Sequence, residues 1–373
     1  MKSFKVLISL LLICIMFTGC TSRNNLKDLS VVEGVGIDLE DDSITAIVQM
    51  LNLIKEGSGA EALSGNVTMN TSGTGHTISS AIEQVSKNTS KKLFFGQNRI
   101  VVFGMPMAEN YLDKSLDYLL RSSYSRSDVT VAIAKNKASE IMESPENDAL
   151  VPAQTISTLL RQSEKIGYGA HVTTNELLNA YADKTSDIYL PVLAIEEKSA
   201  SVAGVAVYND TKLTKILNED ETYGFLFLRG RVKRGLLELK DDALGKVGTE
   251  ILSAKSKAKA EYEGGRVVFK VKIKATAMLD EVENGITDKI SDEELKNIEK
   301  HAEKEIERLC RTAFDACMQS KSDAVRMGEY LAMCDPEAYE KLSDNWEQSL
   351  ETAELQVDVK FKLSKINDNS EGN

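Results

Sequence analysis

Histidine and cysteine are scarce in this chain, and the scarcity removes whole classes of chemistry. The 373 residues hold three histidines, His76, His171 and His301. His76 and His171 have no neighbouring ligand pair. His301 stands nine residues before Cys310, about half a turn out of phase on a helix, so the spacing argues against a zinc site there. The chain contains no G-x-S-x-G, no H-E-x-x-H and no histidine with an identifiable nucleophile partner, which leaves a hydrolase without its machinery. It contains no G-x-x-x-x-G-K-[ST], so a phosphate cradle has no support. An excess of basic charge is also missing. The formal charge is −12, which argues against a nucleic-acid binder, since that needs a basic footprint to displace counterions.

The long hydrophobic run of a membrane-spanning helix is absent too, but a shorter run opens the chain. Lys2 and Lys5 precede an apolar stretch from Val6 to Phe17, which has the length of a secretory signal and is too short to cross a bilayer. The stretch closes on Phe17-Thr18-Gly19-Cys20, a small residue directly before a cysteine. This resembles a bacterial lipoprotein signal, with Phe17 standing where Leu is more usual. The resemblance implies cleavage after Gly19, with a diacylglyceryl group and an N-acyl lipid on Cys20. Two or more acyl chains hold a protein durably on a membrane, where one does so marginally. Losing residues 1–19 takes away Lys2 and Lys5 and no acid, which moves the formal charge to −14. Cys310, Cys317 and Cys334 then remain besides Cys20, an odd number that forms no closed disulfide framework. Cys310 and Cys317, seven apart on a predicted helix, share a face but lie about 10 Å apart along the axis, beyond disulfide reach.

With 42% hydrophobic residues, the 354 residues after the leader divide into more than one domain. The pattern sets out a signal peptide at 1–19, a lipidated tether at 20–27, an N-terminal mixed α/β domain at 28–198, a small middle domain at 199–243, a C-terminal α+β domain at 244–366 and a polar tail at 367–373. In the first of these, β-rich runs at 31–38 and 43–51 flank a turn. From Ile78 helical and strand patterns alternate, as in α/β crossovers. Glu196-Glu197-Lys198-Ser199 reads as a boundary. The last third carries strict alternation. Val267, Phe269, Val271, Ile273 and Ala275 face one way, with Lys270, Lys272 and Lys274 the other way; Lys255, Lys257 and Lys259 repeat this on a run joined by Gly264-Gly265. Leu355, Val357, Val359, Phe361 and Leu363 repeat it near the end. This predicts an antiparallel sheet with one covered face. The cover is a long helix opened by the capping box of Ser291 and Glu294, with Leu295, Ile298, Ala302, Ile306, Leu309, Ala313 and Cys317 as its apolar stripe.

Two basic features stand out in an acidic chain. Lys270, Lys272 and Lys274 form an outward stripe, able to meet anionic headgroups or an acidic partner or to serve as a solvated face. Arg229, Arg231, Lys233 and Arg234 form a cluster read as a docking patch or as scattered loop charge. Gly34 and Gly36 mark a bulge or a close backbone approach to a partner.

Taken together, these segments resemble the Ger(x)C family, the lipoprotein C subunits of bacterial spore germinant receptors. The likeness rests on Cys20, on Val32-Glu33-Gly34-Val35-Gly36-Ile37-Asp38, and on Lys92-Leu93-Phe94-Phe95-Gly96-Gln97 leading into Ile100-Val101-Val102-Phe103-Gly104. It continues through Ala203-Gly204-Val205-Ala206-Val207-Tyr208 and Leu217-Asn218-Glu219-Asp220-Glu221-Thr222 to the ending from Trp346 to Leu363. The family's aspartate followed by Phe-Gly-Phe-Gly is replaced by Asp323-Ala324-Val325-Arg326-Met327-Gly328. The resemblance implies three mixed α/β domains in a row, no catalytic residues and no cofactor beyond the lipid. It also implies a complex with the A and B membrane subunits of a receptor on the outer face of the spore inner membrane. A different class, a lipoprotein that captures a small nutrient for a permease, needs a cleft between two lobes lined by converging polar and aromatic groups.

Overall fold

The computed structural model describes residues 28–52, 67–122, 126–144, 151–241, 244–284 and 290–364. The expected leader at 1–19, the lipidated Cys20 with its tether at 20–27, and the tail at 367–373 lie outside the described residues.

The first sheet is built around four strands, the two central ones buried at every residue. Strands β1 (Leu29–Glu40), β5 (Ile100–Gly104), β6 (Thr130–Ala134) and β8 (Tyr189–Glu196) run parallel as neighbours. Antiparallel β2 (Ser43–Leu51) and β3 (Thr68–Gly75) extend one edge; β9 (Ser199–Asn209) and β10 (Lys212–Leu217) extend the other. Two short strands, β4 (Lys92–Phe94) on β1 and β7 (Val172–Thr173) on β6, bring the total to ten. Parallel strands need crossovers, and the helices that make them cover both faces, so β5 and β6 are apolar without alternation. One face packs on α1 (Ile78–Lys87), α2 (Met105–Asn110), α3 (Leu112–Arg121) and α6 (Thr174–Ala182) through Val101, Phe103, Val131 and Ile133. The other packs on α4 (Ala138–Glu143) and α5 (Pro152–Ile166) through Ile100, Val102, Ala132 and Ala134.

Gly34 and Gly36 open that second face. A Cβ on Gly34 would stand 2.7 Å from both Ala153 Cβ and Met142 Cε, and one on Gly36 would stand 2.7 Å from Ile47 Cγ2. The two glycines therefore admit the protein's own helices to the sheet. A register shift between Val32 and Gly34 also makes this segment a bulge.

The described residues of 199–243, expected as a small middle domain, place their strands in the two sheets. β9 and β10 complete the first sheet, and the boundary at 196–199 is a hairpin turn in which Glu197 and Lys198 take φ of 49° and 70°. After an acidic first turn, helix α7 (Glu219–Leu228) is apolar on all sides because it lies between the two halves, with Phe225, Leu226, Phe227 and Leu228 all buried. β11 (Gly235–Asp241) then becomes the edge of the second sheet.

That sheet has the order β11, β12 (Gly245–Glu263), β13 (Arg266–Val282) and β14 (Glu354–Ser364). β12 and β13 form one long hairpin, closed by Gly264 and Gly265 at φ of 58° and 85°. Such a two-residue turn requires positive φ at both positions, hence glycine. Helix α8 (Asp292–Gln319) covers the inner face with the predicted stripe, and its capping box between Ser291 and Glu294 is formed in both directions. One detail departs from the expected antiparallel sheet, because β14 runs parallel to β13. Between them the chain crosses the sheet through α8, α9 (Met327–Cys334), α10 (Pro336–Ser343) and α11 (Trp346–Glu351), and so returns in the starting direction.

Candidate functional site

The outer face of the second sheet gathers the lysines. Pairing in β12 and β13 sets Lys255 opposite Lys274, Lys257 opposite Lys272 and Lys259 opposite Lys270. β14 then adds Lys360 beside Lys274, Asp358 beside Lys272 and Gln356 beside Lys270. Directly opposed side chains in a sheet point to the same face with their Cβ atoms about 5 Å apart, and like charges placed so destabilise the pair. Of the nine side chains in these three rows, seven are lysine, and Lys362 extends the group into the next row. The alternation expected for Lys270, Lys272 and Lys274 is therefore present, and the fold adds five more lysines to it. Lys360 and Lys362 escaped the sequence reading, although they alternate with Val359, Phe361 and Leu363 by the same rule.

One end of this face is neutralised. Lys270 pairs with Glu261 at 2.5 Å and with Glu263 at 2.6 Å, and Lys259 pairs with Glu261. Hydrogen bonds from Lys259 and Lys270 hold the Glu261 carboxyl down at about 2, and Glu261 in turn raises Lys270. At the other end, Lys255, Lys257, Lys272, Lys274, Lys360 and Lys362 are exposed, and none has an ion-pair partner among the described residues.

Within the cluster at 229–234, two arginines are engaged by the protein itself. Arg229 turns inward, donating from Nη1 to the Ala324 carbonyl at 2.9 Å and lying 4.6 Å from the Tyr189 ring centroid. Arg231 reaches Glu176 at 2.9 Å and Glu164 at 3.8 Å, which ties the segment after α7 to α5 and α6. Burial pushes the Glu176 carboxyl up, but the Arg231 and Thr173 hydrogen bonds outweigh it and leave the group lowered. Glu164 is raised, because burial there exceeds the attraction of Arg231. Arg229 and Arg231 are half-buried and brace neighbouring elements, while Lys233 and Arg234 remain exposed.

A groove of about 1030 Å³ runs between α1 and α3, lined among others by His76, Glu83, Tyr111, Lys114, Asp117 and Arg121. It lies between helices of one layer rather than between lobes. Part of its charge is already engaged: Arg121 pairs with Asp117 at 2.6 Å, and the Lys114 ammonium sits 3.8 Å from the Tyr111 ring centroid. That is a weaker fit to a solute trap than the two-lobed cleft such a function needs. Among the described residues there is no cluster of three or more His, Cys, Asp or Glu able to hold a metal, and no helix long and apolar enough to cross a membrane. Cys310 and Cys317 are buried free thiols and Cys334 is an exposed one. Cys20, the expected lipid site, lies outside the described residues.

Comparison with known proteins accounts for nearly all of this chain. The chain is 25% identical to spore germination protein KC of Bacillus subtilis over 94% of its length and 92% of the relative's. It is 22% identical to spore germination protein B3 of the same organism, over 92% and 93%. In three dimensions it resembles the crystal structure of the GerBC protein with a TM-score of 0.60 at 19% identity, over 89% of this chain and 97% of that one, which speaks to the fold. Two family models lie end to end along it. The spore germination protein N-terminal domain matches residues 22–195, and the spore germination B3/GerAC-like C-terminal domain matches residues 203–367, the two meeting at the β8–β9 turn. With both halves matched in their proper order, the chain belongs to the GerAC-like family of spore germination proteins.

Proposed function

We propose that this protein is the lipid-anchored, non-enzymatic C subunit of a nutrient germinant receptor. It is held through Cys20 at the outer face of the spore inner membrane and supports assembly or signalling with the A and B membrane subunits. The observation that carries this reading is the pairing of a complete family match, beginning at residue 22, with a lipoprotein-type sequence ending at Cys20. The tether of residues 20–27 spans at most about 28 Å when extended, so it keeps the folded body close to the bilayer. A further support is that Arg231 and His171 have structural partners. Arg231 is engaged by Glu176 and Glu164, and His171 Nε2 lies 3.1 Å from Thr130 Oγ1.

The test is Cys20→Ala in the native spore. Loss of the chain from the membrane fraction, with a strongly reduced response to nutrient, is the expected result. Retention in the membrane with a normal response would overturn the reading.

A further inference from the structure

The lysine face calls for an explanation that the fold does not supply. The inner side of the same strands is committed to the core, with Val271, Ile273 and Ala275 buried under α8, so alternation alone requires polar residues outside. It does not require one sign of charge. Threonine, serine, glutamine or mixed charge would satisfy the same pattern without like-charge repulsion across the strands. Elsewhere the chain pairs opposite signs, as in Arg308 with Asp220 and Glu305, or Lys321 with Glu347. An acidic protein that gathers on one face of a sheet lysines without an ion-pair partner among the described residues has a local field opposite to its net charge.

We propose that this face docks on anionic phospholipid headgroups and orients the tethered body on the membrane. Three observations favour lipid over a protein partner. First, the three central rows present Lys, Gln and Asp and no exposed apolar side chain, whereas protein interfaces need an aromatic or aliphatic core depleted of charge. Second, the cations in those rows are lysines without arginine. Flexible point charges suit a diffuse layer of headgroups, and the rigid fork that binds one carboxylate or phosphate bidentately is missing. Third, the pairing register sets Lys255, Lys257, Lys272, Lys274, Lys360 and Lys362 in adjacent rows on one face of the sheet. This deepens the reading of the protein as membrane-anchored. The lipid supplies attachment, and the lysines act as a second signal that fixes which side faces the bilayer.

The experiment uses the full mature chain carrying Cys20→Ser, so that no acyl group contributes and a failure of the anchor reading cannot masquerade as a failure of this one. Sedimentation is measured with vesicles of phosphatidylcholine alone and of phosphatidylcholine mixed with phosphatidylglycerol. Binding to the anionic vesicles alone is expected. It should weaken steeply with added salt and fall about tenfold or more in K255E/K257E/K272E/K274E. The same four positions changed to glutamine should fall by less, which guards against a variant that fails to fold. Equal binding to both vesicles, no binding to either, or unchanged binding by both variants would overturn the proposal. So would lysine-dependent binding seen only in zwitterionic vesicles that carry the other receptor subunits, which would assign the face to an acidic protein.

Discussion

The indole Nε1–H of Trp346 donates to the buried carboxylate of Asp323 at 3.1 Å. The same carboxylate accepts the Met327 and Gly328 amides, each at 2.7 Å. Asp323 donates its own N–H to Asp187, which also accepts the Asp210 amide from the β9–β10 turn. Gly328 is needed beside it, since a Cβ there would lie 2.6 Å from the Thr185 carbonyl. The segment Asp323-Ala324-Val325-Arg326-Met327-Gly328 departs from its family's aromatic pattern, yet its aspartate and its final glycine each hold a defined place.

Burial pushes the Asp323 carboxyl up to about 7 against the opposing pull of the Gly328 and Met327 amides, and burial also raises Asp187. A carboxyl whose folded pKa is raised takes up a proton on folding, so its contribution falls as pH rises from about 4 to about 7. Urea midpoints should therefore be higher at pH 5 than at pH 8, by an effect on the order of 3 kcal/mol at most for Asp323. Asp323→Asn should flatten this slope and lower stability by about 1–3 kcal/mol, because one amide N–H then faces a donor. An unchanged slope in the variant would assign the pH dependence elsewhere.

Gly224 on α7 lies against α8, and a Cβ there would stand 1.9 Å from the Leu309 carbonyl oxygen. Backbone cannot rotate aside as a side chain can. Gly224→Ala should therefore cost about 3 kcal/mol or more in denaturant unfolding. Gly36→Ala meets the side chains of Ile47 and Met142, which can shift, and should cost about 1–2 kcal/mol. Equal costs for the two would show that α7 and α8 separate easily.

Asp38, near the end of β1, caps a helix 100 residues away by accepting the Ala138 amide at 2.6 Å and the Ser139 amide at 3.0 Å. Neither Lys137 nor its neighbours supply a side-chain cap for α4. Asp38→Ala should lower stability by about 1–2 kcal/mol and raise amide exchange at Ala138 and Ser139 above that of the neighbouring strands. Protection left intact at those two amides would argue against the cap.

Burial raises the Cys310 and Cys317 thiols far above their ordinary range. In the chain carrying Cys20→Ser and lacking residues 1–19, a thiol reagent should label Cys334 promptly, with Cys310 and Cys317 reacting after unfolding. Mass spectrometry of the labelled peptides decides this. Rapid labelling of Cys310 would mean that α8 is not packed as described.

Local periodicity carried a large part of the fold. The stripe from Ile298 to Cys317 and the outward parity of Lys270, Lys272 and Lys274 follow from the 3.6 and 2.0 residue repeats, and the capping box at Ser291 from its three-residue spacing to Glu294, all properties of the chain itself. Strand partners and directions were another matter. Nothing local in 199–217 says that it extends the first sheet, and alternation in 354–364 is the same whether the neighbour runs parallel or antiparallel. The inward turn of Arg229 and Arg231, the cap from Asp38 and the Trp346 contact to Asp323 bridge residues far apart in sequence. The amino-acid order alone thus determined which side chains share a face and which end resembles a lipid site. The tertiary structure decided which faces meet, because hydrogen bonds between strands and the burial of charged groups depend on neighbours that the chain brings together when it folds.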